Sequence, residues 1–150
     1  MPKLVLLFCA QSASIDVSTG RLSAFNLVDR LNVVSLPVVL PELVVGFLLR
    51  KDKDEPNTFN LRILFKSNGN VFNDMPFVVD FAGDSACKTL VGIQNAILPA
   101  PGEWEVILKH NDASLGSYVF DVSKVNVPPT VANTPSNSAT PDAPAPSPRS

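Results

Sequence analysis

The sequence has few of the side chains that bind metals or carry out catalysis. It contains two cysteines, Cys9 and Cys87, and one histidine, His110, in 150 residues. These three residues lack the paired spacing of a zinc site, and two cysteines are too few for a disulfide scaffold. No nucleophile elbow and no glycine-rich phosphate loop is present, because the glycines are isolated from one another. We therefore expect a protein that is not an enzyme and has no catalytic, cofactor-binding or metal-binding residue.

Charge is also scarce and balanced. Charged residues make up 17% of the chain, and 12 basic against 14 acidic residues give a net charge of −2. A nucleic acid is therefore not expected as a partner, since phosphate binding needs a concentrated basic surface. No apolar run approaches the length of a membrane span. Apolar residues make up 45% of the chain, which is enough for a buried core and for apolar surface offered to a partner.

His110 is the one side chain that could support acid–base catalysis near neutral pH. It lies at the end of a predicted strand, beside Asn111, Asp112 and Ser114. Sequence neighbours at the tip of a hairpin do not form a catalytic triad, and no cysteine–histidine signature surrounds them. The sequence favours an exposed turn histidine.

Acidic residues occur in three predicted loops, an arrangement found in calcium-dependent β-sandwiches. Calcium takes about six to eight oxygen ligands, whereas basic residues, among them Arg50 and Lys51, interrupt the longest of these loops. A solvated loop is the favoured interpretation, and a calcium site is the alternative. The acidic residues are Asp52, Asp54 and Glu55, then Asp80 and Asp84, then Asp112.

Residues 14–31 predict two β-strands joined by a tight turn at residues 18–20, and we expect the other strands to stack on this hairpin. Gly20 can adopt a positive φ, and apolar residues that favour strands follow it. We expect residues 32–36 to continue the second strand. Small polar residues around the turn could bind a ligand, but such side chains also satisfy the backbone of a turn, which is the favoured role. They are Ser12, Ser14, Asp16, Ser18 and Thr19.

The N-terminal apolar run, residues 4–9, predicts a strand covered on both faces. Residues 1–10 also have features of a short signal peptide, although the apolar run is brief and only one basic residue precedes it. In an exported protein a disulfide between Cys9 and Cys87 would be an alternative to two free thiols.

Most later segments alternate apolar and polar residues with a period of two, which predicts strands. Residues 38–40 lie between Pro37 and Pro41, so we expect an edge or a crossover there, because proline cannot donate to a sheet. Residues 43–50 predict a central strand. Residues 58–66 alternate cleanly and lead into Asn68-Gly69, which favours a hairpin turn.

The partner strand beyond that turn contains Asn73, Asp74 and Pro76, so we expect a bulge or break there. Residues 88–98 fit a strand or a helix, and the β context favours a strand. The final hairpin places Trp104 and Tyr118 on the apolar side of its strands, which predicts core positions for both. The regular spacing of strands and turns predicts an antiparallel β-sandwich, immunoglobulin-like or C2-like, over residues 1–127.

The composition changes after this domain. Residues 128–150 contain seven of the 14 prolines, no aromatic residue and two charges. Such a segment buries too little apolar surface to offset its chain entropy. We therefore expect a disordered tail rich in Pro, Ser and Ala.

Several short motifs of the chain are informative when they are taken together. They are Cys9, Ser14-Ile15-Asp16, Thr19-Gly20-Arg21-Leu22-Ser23, Asp29-Arg30, Pro37, Pro101-Gly102-Glu103-Trp104 and residues 120–122. They resemble those of a family of small, uncharacterised bacterial proteins assigned to a domain of unknown function. The resemblance implies a compact β-sandwich in a bacterial cytoplasm, and it implies no activity and no site residue.

The sequence thus predicts a non-catalytic interaction module, an adaptor or a subunit of a larger assembly. Its expected partner is another protein or a second copy of itself, bound at an edge left by the first strand and residues 37–41. The alternative is a sandwich that binds calcium or another ligand in loops at one end.

Overall fold

The computed structural model describes residues 1–126, which form nine β-strands and no helix. A four-stranded sheet has the order β2-β1-β4-β7, and a five-stranded sheet has the order β3-β9-β8-β5-β6. Neighbouring strands are antiparallel except for β3 and β9, which are parallel. The predicted all-β sandwich is confirmed. The strands are β1 Lys3–Ile15, β2 Leu22–Leu27, β3 Arg30–Val33, β4 Val38–Arg50, β5 Thr58–Ser67, β6 Asn70–Asp80, β7 Ala86–Leu98, β8 Gly102–His110 and β9 Ala113–Lys124.

The core lies between the two sheets and is built from alternate residues of the central strands. Trp104 is fully buried, and its indole Nε1–H donates to the Ala100 carbonyl at 3.0 Å. Tyr118 is half-buried and donates its hydroxyl proton to the Val28 carbonyl at 2.9 Å. Both aromatic residues therefore occupy the predicted core positions, with their polar atoms satisfied.

The predicted N-terminal hairpin is confirmed, but it is not the centre of the fold. β1 pairs with β2 from Ala10↔Leu27 to Ile15↔Leu22, and β2 is an exposed edge strand. The expected continuation through residues 32–36 is wrong, because the chain crosses to the other sheet. There β3 pairs in parallel with residues 121–124 of β9.

The first apolar run is covered on both faces only in part. Phe8, Cys9 and Ala10 are buried, whereas Val5 and Leu6 are 53% and 44% exposed. On the outer face Phe8 lies over Gly46 of β4, where a β-carbon would come within 2.2 Å of the ring. The absence of a side chain at Gly46 therefore makes room for a large aromatic group on an outward-facing surface.

β4 begins directly after Pro37 and continues through Pro41 to Arg50. Residues 38–40 are therefore not a separate segment. Pro41 is tolerated because β1 pairs with β4 only as far as Val44, and the earlier part of β4 pairs with β7 alone. The residues of that earlier part therefore lie at a local edge, as predicted. From Leu43 onward the strand is central, and Leu43, Val45, Phe47 and Leu49 are all buried.

The predicted hairpin at Asn68-Gly69 is confirmed, and both residues have positive φ. The expected bulge or break near Asn73 is a bulge and not a break, since β6 continues through Pro76 to Asp80. β6 is an edge strand, which accommodates a proline. The irregularity lies one residue earlier, where Phe65 pairs with Asn73 and Lys66 with Val71, so that Phe72 is left without a partner.

Residues 88–98 form a strand, as favoured, within β7. The predicted disordered tail at residues 128–150 lies outside the described residues. Within those residues, no helix is long and apolar enough to cross a membrane.

Candidate functional site

The candidate site is the free edge of β7. This 13-residue strand pairs with β4 along its whole length, from Arg50↔Ala86 to Val38↔Leu98. No strand of residues 1–126 pairs with its other side. An unpaired strand edge presents a row of N–H and C=O groups that can pair with another chain.

β7 also lacks the features that usually protect an edge strand. Its one charged residue is Lys88, and it contains no proline. By contrast, the β6 edge carries Asp74, Pro76 and Asp80, and the edge strands β2 and β3 have only six and four residues. Charges, prolines and short length all discourage pairing with other chains. Of the four strands at the ends of the two sheets, β7 is therefore the best suited to accept another strand.

A groove of about 320 Å³ runs beside this edge, between β7 and β6. Its floor is aromatic: Phe72 lies 4.9 Å from Trp104, measured between ring centroids, and is 44% exposed. The missing pairing partner at Phe72 marks a local bulge in β6, a feature that re-aims side chains. The groove is lined by Phe65, Phe72, Asn73, Ile93, Gln94, Asn95, Ala96, Ile97, Leu98 and Trp104.

The groove is electrically neutral. None of its ten lining residues is charged, and its polar groups include the amides of Asn73, Gln94 and Asn95. Asn95 has a φ of 55°, a conformation that asparagine adopts more readily than most residues. The arrangement offers apolar contact on its floor and hydrogen bonding at its rim.

The edges expected from the sequence are present, but they are short. β1 pairs with β4 over Lys3–Ala10 and with β2 over Ala10–Ile15, so the other side of residues 3–9 has no paired strand among residues 1–126. Residues 38–40 pair with β7 and, within the described part of the chain, are open on their other side. The longer edge of β7 was not expected, and it exists because β7 takes the outer position beyond β4.

His110 lies at the end of β8 and is half-buried, so the prediction of an exposed turn histidine is only partly right. Its ring packs edge-to-face on Phe59, 5.4 Å between centroids. Nδ1 lies 3.1 Å from the Asn60 carbonyl, and Nε2 lies 3.5 Å from the Asn111 amide. These contacts join neighbouring strands of the same sheet.

Two of the acidic loop residues, Glu55 and Asp80, are engaged in local contacts. The Glu55 carboxylate accepts the Asp52 N–H at 2.7 Å and pairs with the N-terminal ammonium, and these contacts lower the pKa of Glu55. Asp80 accepts the Ala82 N–H at 2.8 Å. Among residues 1–126 no group of three or more His, Cys, Asp or Glu side chains is placed to hold a metal ion.

The polar cluster near Gly20 closes the first hairpin, as favoured. Asp16 accepts hydrogen bonds from the Ser18 N–H and hydroxyl at 2.8 and 2.7 Å, and from the Thr19 N–H at 3.2 Å. These bonds to its charged form lower the pKa of Asp16. Gly20 has a φ of 69° and donates its N–H to the Asp16 carbonyl.

The two cysteines are free thiols, Cys9 buried and Cys87 half-buried. β4 lies between their strands, which separates the strands by two sheet spacings, about 9–10 Å. A disulfide needs Cα atoms closer than about 7 Å, so the alternative of a Cys9–Cys87 bridge is wrong for this fold. Burial raises the pKa of the Cys9 thiol to about 12.

A family model described as a family of unknown function (DUF6941) matches residues 5–123. No curated protein matches the chain. Among solved structures, the chain is similar to the alkylpurine DNA glycosylase AlkC of Pseudomonas fluorescens, solved bound to DNA containing an abasic site analogue. The identity is 16% and the TM-score 0.45, and the match covers 81% of this chain but only 30% of the glycosylase. It is also similar to an immunoglobulin-like protein of Pseudomonas aeruginosa, with 13% identity, a TM-score of 0.41, and coverage of 81% of this chain and 96% of the other.

Proposed function

Since the chain belongs to DUF6941, a family of unknown function, we propose its role from its own surfaces: a non-catalytic protein-interaction module, an adaptor or a subunit of a larger assembly. It binds an extended segment of another protein along β7. The observation that carries this proposal is the free side of a 13-residue strand with a single charge and no proline.

Strand addition supplies affinity through the backbone and specificity through side-chain pockets. Every second residue of β7 directs its N–H and C=O away from β4, and an added strand can satisfy these groups. The adjacent groove supplies a pocket on the same side of the molecule. The edge and the groove together therefore form a complete binding surface for an extended peptide.

The experiment is a selection from a phage-displayed library of random peptides about as long as β7, performed on the immobilised protein. Ile97→Lys places a charge on the β7 edge, and Val78→Lys is the matched control on the β6 edge. Both replace an exposed β-branched residue, at 60% and 64% exposure. We expect selected peptides to bind the Ile97→Lys variant about tenfold more weakly or worse, a loss of about 1.4 kcal/mol, and to bind the control like the wild type.

Two results would contradict the proposal. One is a selection that enriches no peptide. The other is a set of peptides that bind the Ile97→Lys variant as tightly as the wild type, which would place the binding surface elsewhere.

A ligand-binding sandwich is the second candidate, supported by one surface feature. Where β1 and β4 separate, a cleft of about 610 Å³ is lined by residues that include Leu27, Leu31 and Leu40. At the opposite end of β4, Asp52, Glu55 and Asp84 line one depression, but no three such side chains of residues 1–126 are placed together to hold a metal ion. Thermal unfolding with and without calcium tests the calcium form: it requires a rise in Tm that Asp52→Ala abolishes.

A bacterial cytoplasmic location belongs to the same proposal. It is supported by the two unbonded thiols, since free cysteines are typical of reducing compartments. Measuring the location of the tagged protein in cell fractions tests it.

A further inference from the structure

We propose that the partner segment carries one bulky apolar side chain, aromatic or long aliphatic, which enters the groove and packs on Phe72 and Trp104. This inference rests on the proposed function of β7 and names the chemistry of its partner.

The side chains of a strand added to β7 would take positions set by the faces of β7. Side chains of a strand alternate between the two faces of its sheet. On β7, Ile93 is buried and Gln94 is exposed. Beyond Asn95, which has a positive φ, the alternation shifts by one residue, so that Leu98 is buried and Ile97 is exposed. A strand added beside residues 93–98 therefore directs alternate side chains toward the five-stranded sheet, where the groove opens.

The floor of the groove is aromatic and joins the core. Trp104 is fully buried and stacks on Phe120 at 6.5 Å between centroids, so the floor is continuous with the core. Phe72 covers one side of Trp104 and leaves 44% of its own surface exposed. An incoming apolar side chain would bury this surface against a preformed aromatic wall, which is how anchor residues act in interfaces.

The charge and size of the groove restrict which side chain it can hold. A charged anchor would lose its hydration without gaining an opposite charge, because none of the lining residues is charged. The volume of about 320 Å³ is at the lower end of the range for ligand sites, about 300–1,000 Å³. The groove therefore suits a single large side chain with uncharged neighbours.

A second copy of β7 would fill the groove less well than a segment of another protein. If two β7 strands paired antiparallel about their midpoint, Gly92, residues 93–98 of one copy would face residues 86–91 of the other. The side chains that share the core face of that half are Cys87, Thr89 and Val91. None is aromatic or long, so a second copy would leave the aromatic floor poorly filled.

The experiment uses the full chain and the peptides selected on it. Each peptide is compared with a version in which its single bulky apolar residue is replaced by alanine. Phe72→Ala removes the floor, and Val71→Ala is the matched control, since Val71 is the exposed neighbour that does not line the groove. Affinity is measured by anisotropy, and emission from Trp104, the only tryptophan, reports contact with the groove.

We expect alanine in the peptide to weaken binding to the wild type and to Val71→Ala by about tenfold to a hundredfold. The same peptide change should have less than about a twofold effect on Phe72→Ala, because the two substitutions remove one shared contact. Trp104 emission should shift when the original peptide binds and should shift less with the alanine peptide. Phe72→Leu is the second variant, with an intermediate effect, should Phe72→Ala fail to fold.

The inference is overturned if peptides bind in a manner sensitive to Ile97→Lys yet show no preference for a bulky residue and leave Trp104 emission unchanged. In that case the proposed function stands. A dimer in sedimentation that Phe72→Ala dissociates would also overturn it, because the occupant would be a second copy. If no peptide binds, the proposed function itself fails.

Discussion

Replacing Gly46 by alanine tests how the outer face of the four-stranded sheet is packed. An ideal β-carbon at this position would lie 2.2, 2.5 and 2.9 Å from three atoms of the Phe8 ring. Favourable carbon contacts need about 3.5–4.0 Å. Phe8 is only 5% exposed, so its ring cannot move aside without disturbing its neighbours or becoming exposed to water.

The expected loss of stability follows from two opposing terms. Overpacking a well-packed site costs about 1–3 kcal/mol. Replacing a glycine inside a strand by alanine stabilises by about 0.5–1 kcal/mol through the unfolded chain. Gly92→Ala is the matched control, because it lies in β7 with no atom within 4 Å of its added β-carbon. The difference in unfolding free energy between the two variants therefore isolates the Phe8 contact, at about 1–3 kcal/mol.

The assay is urea denaturation followed by the fluorescence of Trp104, which is fully buried when folded. We expect Gly46→Ala to be less stable than Gly92→Ala and expect Phe8→Leu, introduced into Gly46→Ala, to recover part of the loss. Equal stabilities for the two alanine variants, or no recovery with leucine, would refute the packing argument.

Three further predictions concern single side chains. At pH 8 a thiol reagent should label Cys87 and leave Cys9 unreacted, since burial holds the pKa of Cys9 at about 12; rapid labelling of both would contradict this. Tyr118→Phe should lower the free energy of unfolding in urea by about 1–3 kcal/mol, because the carbonyl of buried Val28 loses its 2.9 Å hydrogen bond. An unchanged midpoint of denaturation would mean that water replaces the hydroxyl. The lowered pKa of Asp16 stabilises the fold above the ordinary carboxyl pKa, and this stability is lost as pH falls through the lowered pKa. Asp16→Asn should therefore flatten the acid limb of a curve of unfolding free energy against pH. Parallel curves for the variant and the wild type would exclude this role of Asp16.

The sequence predicted those elements whose signals are local. Asn68-Gly69 specifies its own turn, and the alternation from Phe59 to Phe65 specifies the buried face of β5. The parallel pairing of β3 with β9 was not predictable in this way, because Arg30 and Asp121 meet across about ninety residues of chain and neither shows a local pattern for it. Pro41 correctly indicated an edge, but whether a proline also ends a strand depends on whether a neighbour pairs with that side.

The candidate site was harder to predict than the fold. The low charge of residues 88–98 was visible, but the outer position of β7 depends on the order of the strands in the sheet. Phe72 lies in β6, shortly after the Asn68-Gly69 turn. Its contact with Trp104 arises because Phe72 itself has no pairing partner in β5. An exposed aromatic residue beside a turn was the available signal, and only the fold shows which core residue it covers.

Amide hydrogen exchange is the most direct test of strand addition at β7. The measurement compares exchange rates, residue by residue, with and without a saturating selected peptide. The account predicts slower exchange at alternate residues of β7 between Leu90 and Ile97, with little change in β6 beyond the groove, because an added strand bonds only the amides that point away from β4. Unchanged exchange along β7, or protection confined to β6 or to β2, would contradict the proposal that this edge is the binding site.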